Sequence, residues 1–284
     1  MSSCFLCNSK KSRLRHKGVR DNEGIDVLEC IECGLVYLSS VNHINEAFYE
    51  NSGMLNGKVD LQKYRQQSFM DDSRRAKDLK NVILGKKVLD FGCGAGGFLH
   101  LIKNKCKEIA GVELDKSLNE SINKEGINCY SNISEINDSY DVITLFHVLE
   151  HLKDPMLTLQ KLKKHLNKDG TIIIEVPNAD DALLTLFKNE KFSKFTYWSC
   201  HLYLYNNYTL QKICENAGYN VKLIKQIQRY PLSNHLYWLN NGLPGGHVHY
   251  NMLNDDILNN QYANILAALG KCDTIVAEIN ISRD

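Results

Sequence analysis

An α/β fold with a parallel sheet, preceded by a small cysteine module, is what the sequence predicts, and three observations predict it. Short β-branched runs alternate with helical patterns from Lys87 onward. A glycine-rich turn, Gly92-Cys93-Gly94-Ala95-Gly96-Gly97, joins the first of those strands to a helix. Two Cys-x-x-Cys pairs, Cys4/Cys7 and Cys30/Cys33, stand ahead of the alternation with 22 residues between them. The 284 residues are 43% hydrophobic and 24% charged, enough apolar area for a core and too much for a disordered chain. With 34 Lys+Arg against 33 Asp+Glu the net charge is +1, which gives no global pull toward nucleic acid or anionic lipid.

Residues 60–84 are helix-like. Residues 88–91 read as a buried strand and 97–104 as the helix that the glycine turn opens. A strand at 109–114 and a helix at 116–125 follow. Residues 140–146 are strand-like, 155–166 helical behind the Asp154-Pro155 start, and 170–176 a strand that Pro177 stops. Residues 182–198, rich in Leu, Phe, Tyr and Trp, read as an insertion. Residues 207–217 form a helix ended by Gly218, and 221–228 a strand. With two Pro and three Gly, 231–253 read as a loop, before a helix at 255–269 and a strand at 274–281 that closes a hairpin. The predicted organisation is a ribbon at 1–40, a helical linker or cap at 41–84, and the main domain at 85–284, with insertions at about 180–206 and 231–272.

Two cysteine knuckles can set four thiolates tetrahedrally around Zn²⁺, so Cys4, Cys7, Cys30 and Cys33 are the predicted ligands of a structural zinc ion. Gly34, directly after Cys33, suits a tight knuckle turn. The ten cysteines are not read as a disulfide framework, and the other six default to small buried hydrophobes. The module holds six Lys/Arg and five Asp/Glu; four thiolates with one Zn²⁺ add −2, for a net −1.

The glycines after Val88-Leu89-Asp90-Phe91 permit positive φ and close approach of a ligand to the backbone. Glu113, at the end of the next strand, offers a carboxylate that can accept two ribose hydroxyls. Asp90 disfavours a bound phosphate and favours a cationic ligand; a nicotinamide-dinucleotide domain, the structural competitor, would bring its pyrophosphate against that carboxylate.

These residues resemble class I S-adenosylmethionine-dependent methyltransferases over roughly residues 80–230. The resemblance implies a Rossmann-like sheet of seven strands, the last antiparallel, and S-adenosyl-L-methionine as cofactor. It implies that Asp90, Gly92, Cys93 and Gly94 surround the methionine end, that Glu113 holds the ribose, and that Leu114 packs on the adenine. Asn132 stands where the family often has an acidic residue at the adenine edge, and Phe146 and His147 line the pocket from the fourth strand.

His147-Val148-Leu149-Glu150-His151 ends that strand at the ligand-binding edge of a doubly wound sheet. It is similar to a Glu-x-x-Glu-His pattern of ubiquinone-pathway O-methyltransferases, associated there with a divalent metal, with His147 replacing the first Glu. The competing reading has Glu150 and His151 holding a strand–helix turn. His201, before a helix, resembles a histidine of many such enzymes that accepts a hydroxyl proton, with His147 and His151 as rival bases.

Ribbon-plus-methyltransferase chains resemble bacterial sugar methyltransferases. The predicted reaction is therefore O-methylation of a small, sugar-like acceptor in carbohydrate biosynthesis. Alternatives are an RNA base methyltransferase, disfavoured by the near-neutral charge, and a non-catalytic cofactor-binding scaffold. Residues 231–272 are read as a pocket wall or a homodimer contact. No apolar run approaches the ~20 residues of a membrane helix, and Met1–Arg20 has no signal core, so the chain is read as cytoplasmic without membrane insertion.

Overall fold

The computed structural model describes residues 3–44, 49–50 and 60–282, so parts of the 41–84 linker lie outside the described residues. Eleven strands form two sheets among them. A four-stranded sheet has the order β1-β2-β3-β9: β1 Ser12–His16, β2 Val27–Cys30, β3 Val36–Leu38 and β9 Tyr203–Leu204. A seven-stranded sheet has the order β10-β11-β8-β7-β4-β5-β6: β4 Lys87–Phe91, β5 Glu108–Val112, β6 Asn128–Tyr130, β7 Tyr140–Phe146, β8 Leu166–Pro177, β10 Tyr219–Ile227 and β11 Thr274–Ile281. β4 pairs in parallel with β5 and β7, and β5 with β6; the sheet is mixed, with its last strands antiparallel, as the sequence predicts.

By contacts the chain divides into two compact units: a cysteine unit of residues 1–41, 175–213 and 223–277, and a glycine-turn unit of 42–174, 214–222 and 278–284. The sequence-based boundaries follow the order of the chain; the contacts group its first 41 residues with two later segments.

In the glycine-turn unit the central strands are apolar because both faces are covered. Val88, Leu89, Ile143 and Leu145 are buried. Strand order reverses at β4, with β5 and β6 to one side and β7 to the other, which opens a crevice at the carboxyl ends of β4 and β7. The helices start where carboxylates can satisfy free amides. Asp115 accepts from Ser117 N and Leu118 N at 3.0 and 3.1 Å ahead of helix Lys116–Lys124. Asp154 accepts from Leu157 N at 2.9 Å ahead of Pro155–Leu162. The long helix Leu61–Asp78 covers the 60–84 stretch and packs on Gly97–Ile102. β8 starts at Leu166, four residues earlier than read, and ends at Pro177.

In the cysteine unit β9 adds a strand to the N-terminal ribbon, pairing Tyr37 with Tyr203 and Val36 with Leu204. Arg15 ties the two segments further: its Nε donates to Tyr197 Oη at 2.8 Å, its Nη1 to Glu29 at 3.1 Å, and its Nη2 to the Ala179 carbonyl. The loop reading of 231–253 is overturned. Residues Leu232–Asn241 are a helix, with Pro231 at its N-cap and Gly242 closing it at φ 64°. These breakers bound an element instead of marking its absence. Trp238, buried on that helix, meets the rings of Phe192 and Phe195 at 5.1 and 5.2 Å. Among the described residues no helix is long and apolar enough to cross a membrane.

Candidate active site and cysteine cluster

Past Phe91 the backbone turns through Gly92 (φ 75°), Gly94 (φ 55°) and Gly96 (φ 73°), a left-handed path that side chains resist. The amides of Gly92 and Cys93 both donate to the Val112 carbonyl, at 2.8 and 3.1 Å, which folds the turn onto the end of β5. Space is limiting as well. A Cβ at Gly92 would collide with Val148 Cγ2, and one at Gly94 would stand 3.2 Å from the Tyr64 ring.

Two carboxylates face this turn. Asp90 is 3% exposed; Thr144 Oγ1 donates to its Oδ1 at 2.7 Å, and burial pushes its carboxyl up to about 7. Glu113 accepts from Gly94 N at 2.8 Å through Oε2 and from Asp115 N at 2.9 Å through Oε1. Burial pushes it also to about 7, against those amides, which favour the ionised form. A cation beside the pair would relieve both.

The other predicted positions fall around them. Cys93 Sγ lies 3.8 Å from Cys129 Sγ, both buried. Leu114 is half-buried after Glu113. Phe146 meets Phe98 edge-on at 5.0 Å and lies under the Arg75 guanidinium at 4.5 Å. Asn132 is exposed, and its side-chain oxygen accepts from Ser134 N at 3.0 Å as a local cap. His147 adopts φ 55°, outside the regions ordinary side chains prefer. Its Nδ1 is 3.2 Å from Glu150 Oε1, and His151 Nε2 is 3.9 Å from the same oxygen on the fully buried Glu150. His201 belongs to the cysteine unit, where its amide donates to Trp198 O at 3.0 Å.

Helix Leu61–Asp78 contributes residues the sequence reading missed. Besides Tyr64 over Gly94, Arg65 donates through Nε to Ala95 O at 2.8 Å and holds Glu125 with both other nitrogens, at 3.1 and 2.7 Å. Asp72 abuts Gly97 and pairs with Arg75 at 3.1 Å. Only their spacing on one helical face hints at a shared role; no local motif marks them.

In the cysteine unit, the Sγ atoms of Cys4, Cys7, Cys30 and Cys33 all lie within 4.8 Å of one another, with Cys4–Cys33 at 3.6 Å and Cys7–Cys30 at 3.5 Å. The two knuckles repeat one geometry. Asn8 (φ 58°) donates its amide to Cys4 O at 2.8 Å, and Gly34 (φ 76°) donates to Cys30 O at 2.9 Å. Burial raises the Cys4 thiol to about 11 and Cys33 higher still, whereas at Cys30 burial is outweighed by the Cys33 amide, the Cys7 thiol and the Glu32 amide, which bring it to about 7. Four convergent sulfurs at these distances are consistent with a zinc ribbon.

Comparison with known proteins bears on both the fold and the chemistry. A family profile described as a methyltransferase domain matches residues 61–223, more than half of the chain. The ubiquinone biosynthesis O-methyltransferase of Haemophilus ducreyi is 24% identical over 187 residues, covering 59% of this chain and 79% of that protein. The tRNA U34 carboxymethyltransferase of Campylobacter hominis is 30% identical over 148 residues, 48% of this chain and 50% of that protein. A SAM-dependent methyltransferase from Archaeoglobus fulgidus shares the fold at TM-score 0.50 and 17% identity, over 78% of this chain and 94% of that one. Neither of the two relatives is named for a sugar acceptor.

Proposed function

Because the chain belongs to the methyltransferase-domain family and is an S-adenosylmethionine-dependent methyltransferase, we propose that its cofactor lies against the turn after β4 and that its acceptor is a small hydroxyl-bearing molecule. The observation that carries the cofactor placement is the pair of carboxylates, Asp90 and Glu113, each raised to about 7 by burial beside a turn where a Cβ at Gly92 would collide with Val148. S-adenosylmethionine, when bound, supplies a methyl group on a cationic sulfur. Asp90 then provides the negative field for that cation, with Thr144 fixing its orientation at 2.7 Å. Glu113 takes the ribose hydroxyls, and the Gly92–Gly94 backbone lets the ligand approach closely. Leu114 and Phe146 supply apolar walls.

His147 is the proposed base. Glu150, 3.2 Å from its Nδ1, orients the ring so that Nε2 can take the acceptor's proton. His151 and His201 are the rival positions. Oxygen as the acceptor atom is supported by the named activity of the ubiquinone-pathway relatives; the relatives give no support to a sugar, so the carbohydrate assignment is not carried further. An RNA acceptor is the second reading, favoured by the 30% identity to the tRNA enzyme. Zinc held by Cys4, Cys7, Cys30 and Cys33 is proposed as a structural ion, since a closed four-thiolate site leaves no position for a substrate. Thiols kept for metal binding suit a reducing compartment such as the cytoplasm.

Methyl transfer from labelled S-adenosylmethionine into a cell extract, separated into small-molecule and RNA fractions, tests the acceptor. Label in small molecules that is alkali-stable and lost with His147→Ala supports the proposal. Label confined to RNA overturns it in favour of the second reading, and RNA binding should then weaken steeply with salt.

A further inference from the structure

Residues 231–270 hold two charged residues in forty, Asp255 and Asp256, where the chain as a whole is 24% charged. Neither Lys nor Arg occurs among them. Within this segment helix Asp256–Ala268 carries apolar residues both on its buried side and on its exposed surface. One side is core: Leu266, 2% exposed, packs with Ala182 and Cys272, and Tyr262 and Ala267 lie against them. The other side is open. Ile257 is 75% exposed, Ile265 57% and Leu269 58%, with exposed Gln261 between the two isoleucines. A helix on the surface of a protein ordinarily turns charge toward water on its outer face; this outer face presents none after Asp256.

The order of the residues is the second observation. Ile257, Gln261 and Ile265 recur at every fourth position of the helix and read the same in both directions about Gln261. Positions four apart form the ridge that interdigitates with the same ridge of another helix when two helices cross at about −50°, the commonest packing class. In an antiparallel crossing centred on Gln261, Ile257 of one copy meets Ile265 of the other, and the reverse. Gln261 meets itself, and an amide can donate to and accept from its own twin.

We propose that this ridge is the two-fold interface of a homodimer. A polyanion or an anionic membrane needs cations that the face lacks, and a charged protein partner would bury charge against it unpaired. A second copy brings an equally neutral surface with matching spacing. Contact of the same patch with itself is what closed two-fold symmetry requires.

Sedimentation of the full chain at micromolar concentration provides the test, with Ile257→Glu and Ile265→Lys made singly and then mixed. The wild type should sediment at twice the monomer mass. Each variant should associate at least about tenfold more weakly, with unchanged circular dichroism. The mixture should recover the dimer, because one glutamate then faces one lysine while the other crossing keeps its two isoleucines. A monomeric wild type, dimeric single variants, or a mixture that stays monomeric would each overturn the proposal. Flotation of a monomeric wild type with zwitterionic vesicles would assign the face to lipid instead.

Discussion

The cysteine knuckles and the turn after β4 use the same backbone device, left-handed residues that reverse the chain within a few positions, yet leave their polar groups in different states. At the knuckles, Asn8 and Gly34 bring four sulfurs within 4.8 Å of one another, a set that a single ion could satisfy. At the turn, Gly92 and Gly94 serve two carboxylates that amides and a hydroxyl partly satisfy and that burial keeps near neutrality. The first arrangement suits a closed structural site. In the proposed function, the second holds two acids raised by burial for a cationic ligand. In that proposal the difference separates a site that holds the fold from a site that performs chemistry.

The largest effect that would sharpen this contrast is at the cysteines. Structural zinc contributes on the order of 10 kcal/mol to the folding of small modules, so Cys33→Ser should abolish bound zinc and the cooperative melt of the ribbon. Metal analysis beside thermal melting checks it; full zinc content in the variant would break the comparison. Next is Glu113→Ala, which removes charge-assisted hydrogen bonds and should weaken S-adenosylmethionine binding by about 2–3 kcal/mol, on the order of 100-fold, in calorimetry. An unchanged heat would remove Glu113 from the site.

Gly92→Ala should destabilise the protein by about 2 kcal/mol in urea titration, because φ 75° is unfavourable for alanine and its Cβ runs into Val148.

pH should shift both stability and binding. Folding raises Asp90 from 3.8 and Glu113 from 4.5 to about 7, so the folded chain binds more protons than the unfolded chain between those values. The ligand-free protein should therefore lose stability as pH rises from 4 toward 7. A cationic ligand favours the ionised forms, and affinity should climb about tenfold per carboxylate between about pH 6 and pH 8, then level off. A flat binding profile would mean that the carboxylates do not face the ligand. The smallest stability effect is His147→Gly, which relieves a left-handed side chain but removes the partner 3.2 Å from buried Glu150, so stability should change by about 1 kcal/mol or less while methyl transfer falls.

The turn was legible because its signals are contiguous: a buried strand, glycines, a helix, then a carboxylate at the end of the next strand. The knuckles were legible because spacing alone carries the geometry. Tyr64, Arg65, Asp72 and Arg75 were not, since they lie on a polar helix and acquire meaning only from the backbone atoms and rings they meet. Breakers misled at 231–253, where Pro231 and Gly242 bracket a helix instead of filling a loop. Three-residue β6 and two-residue β9 are too short for any periodicity; pairing with β5 and β3 creates them.

Local order along the chain settled the alternation of strands and helices, the two knuckles and the acidic–glycine turn, because each depends on neighbours within a few residues. It could not settle which distant segments share a unit. That β9 joins the N-terminal ribbon, that Arg65 grips the turn, and that burial moves Asp90 and Glu113 to about 7 follow from residues far apart in sequence being brought together. Long-range packing fixes those distances and the exclusion of water, and neither is written in the spacing of residue types.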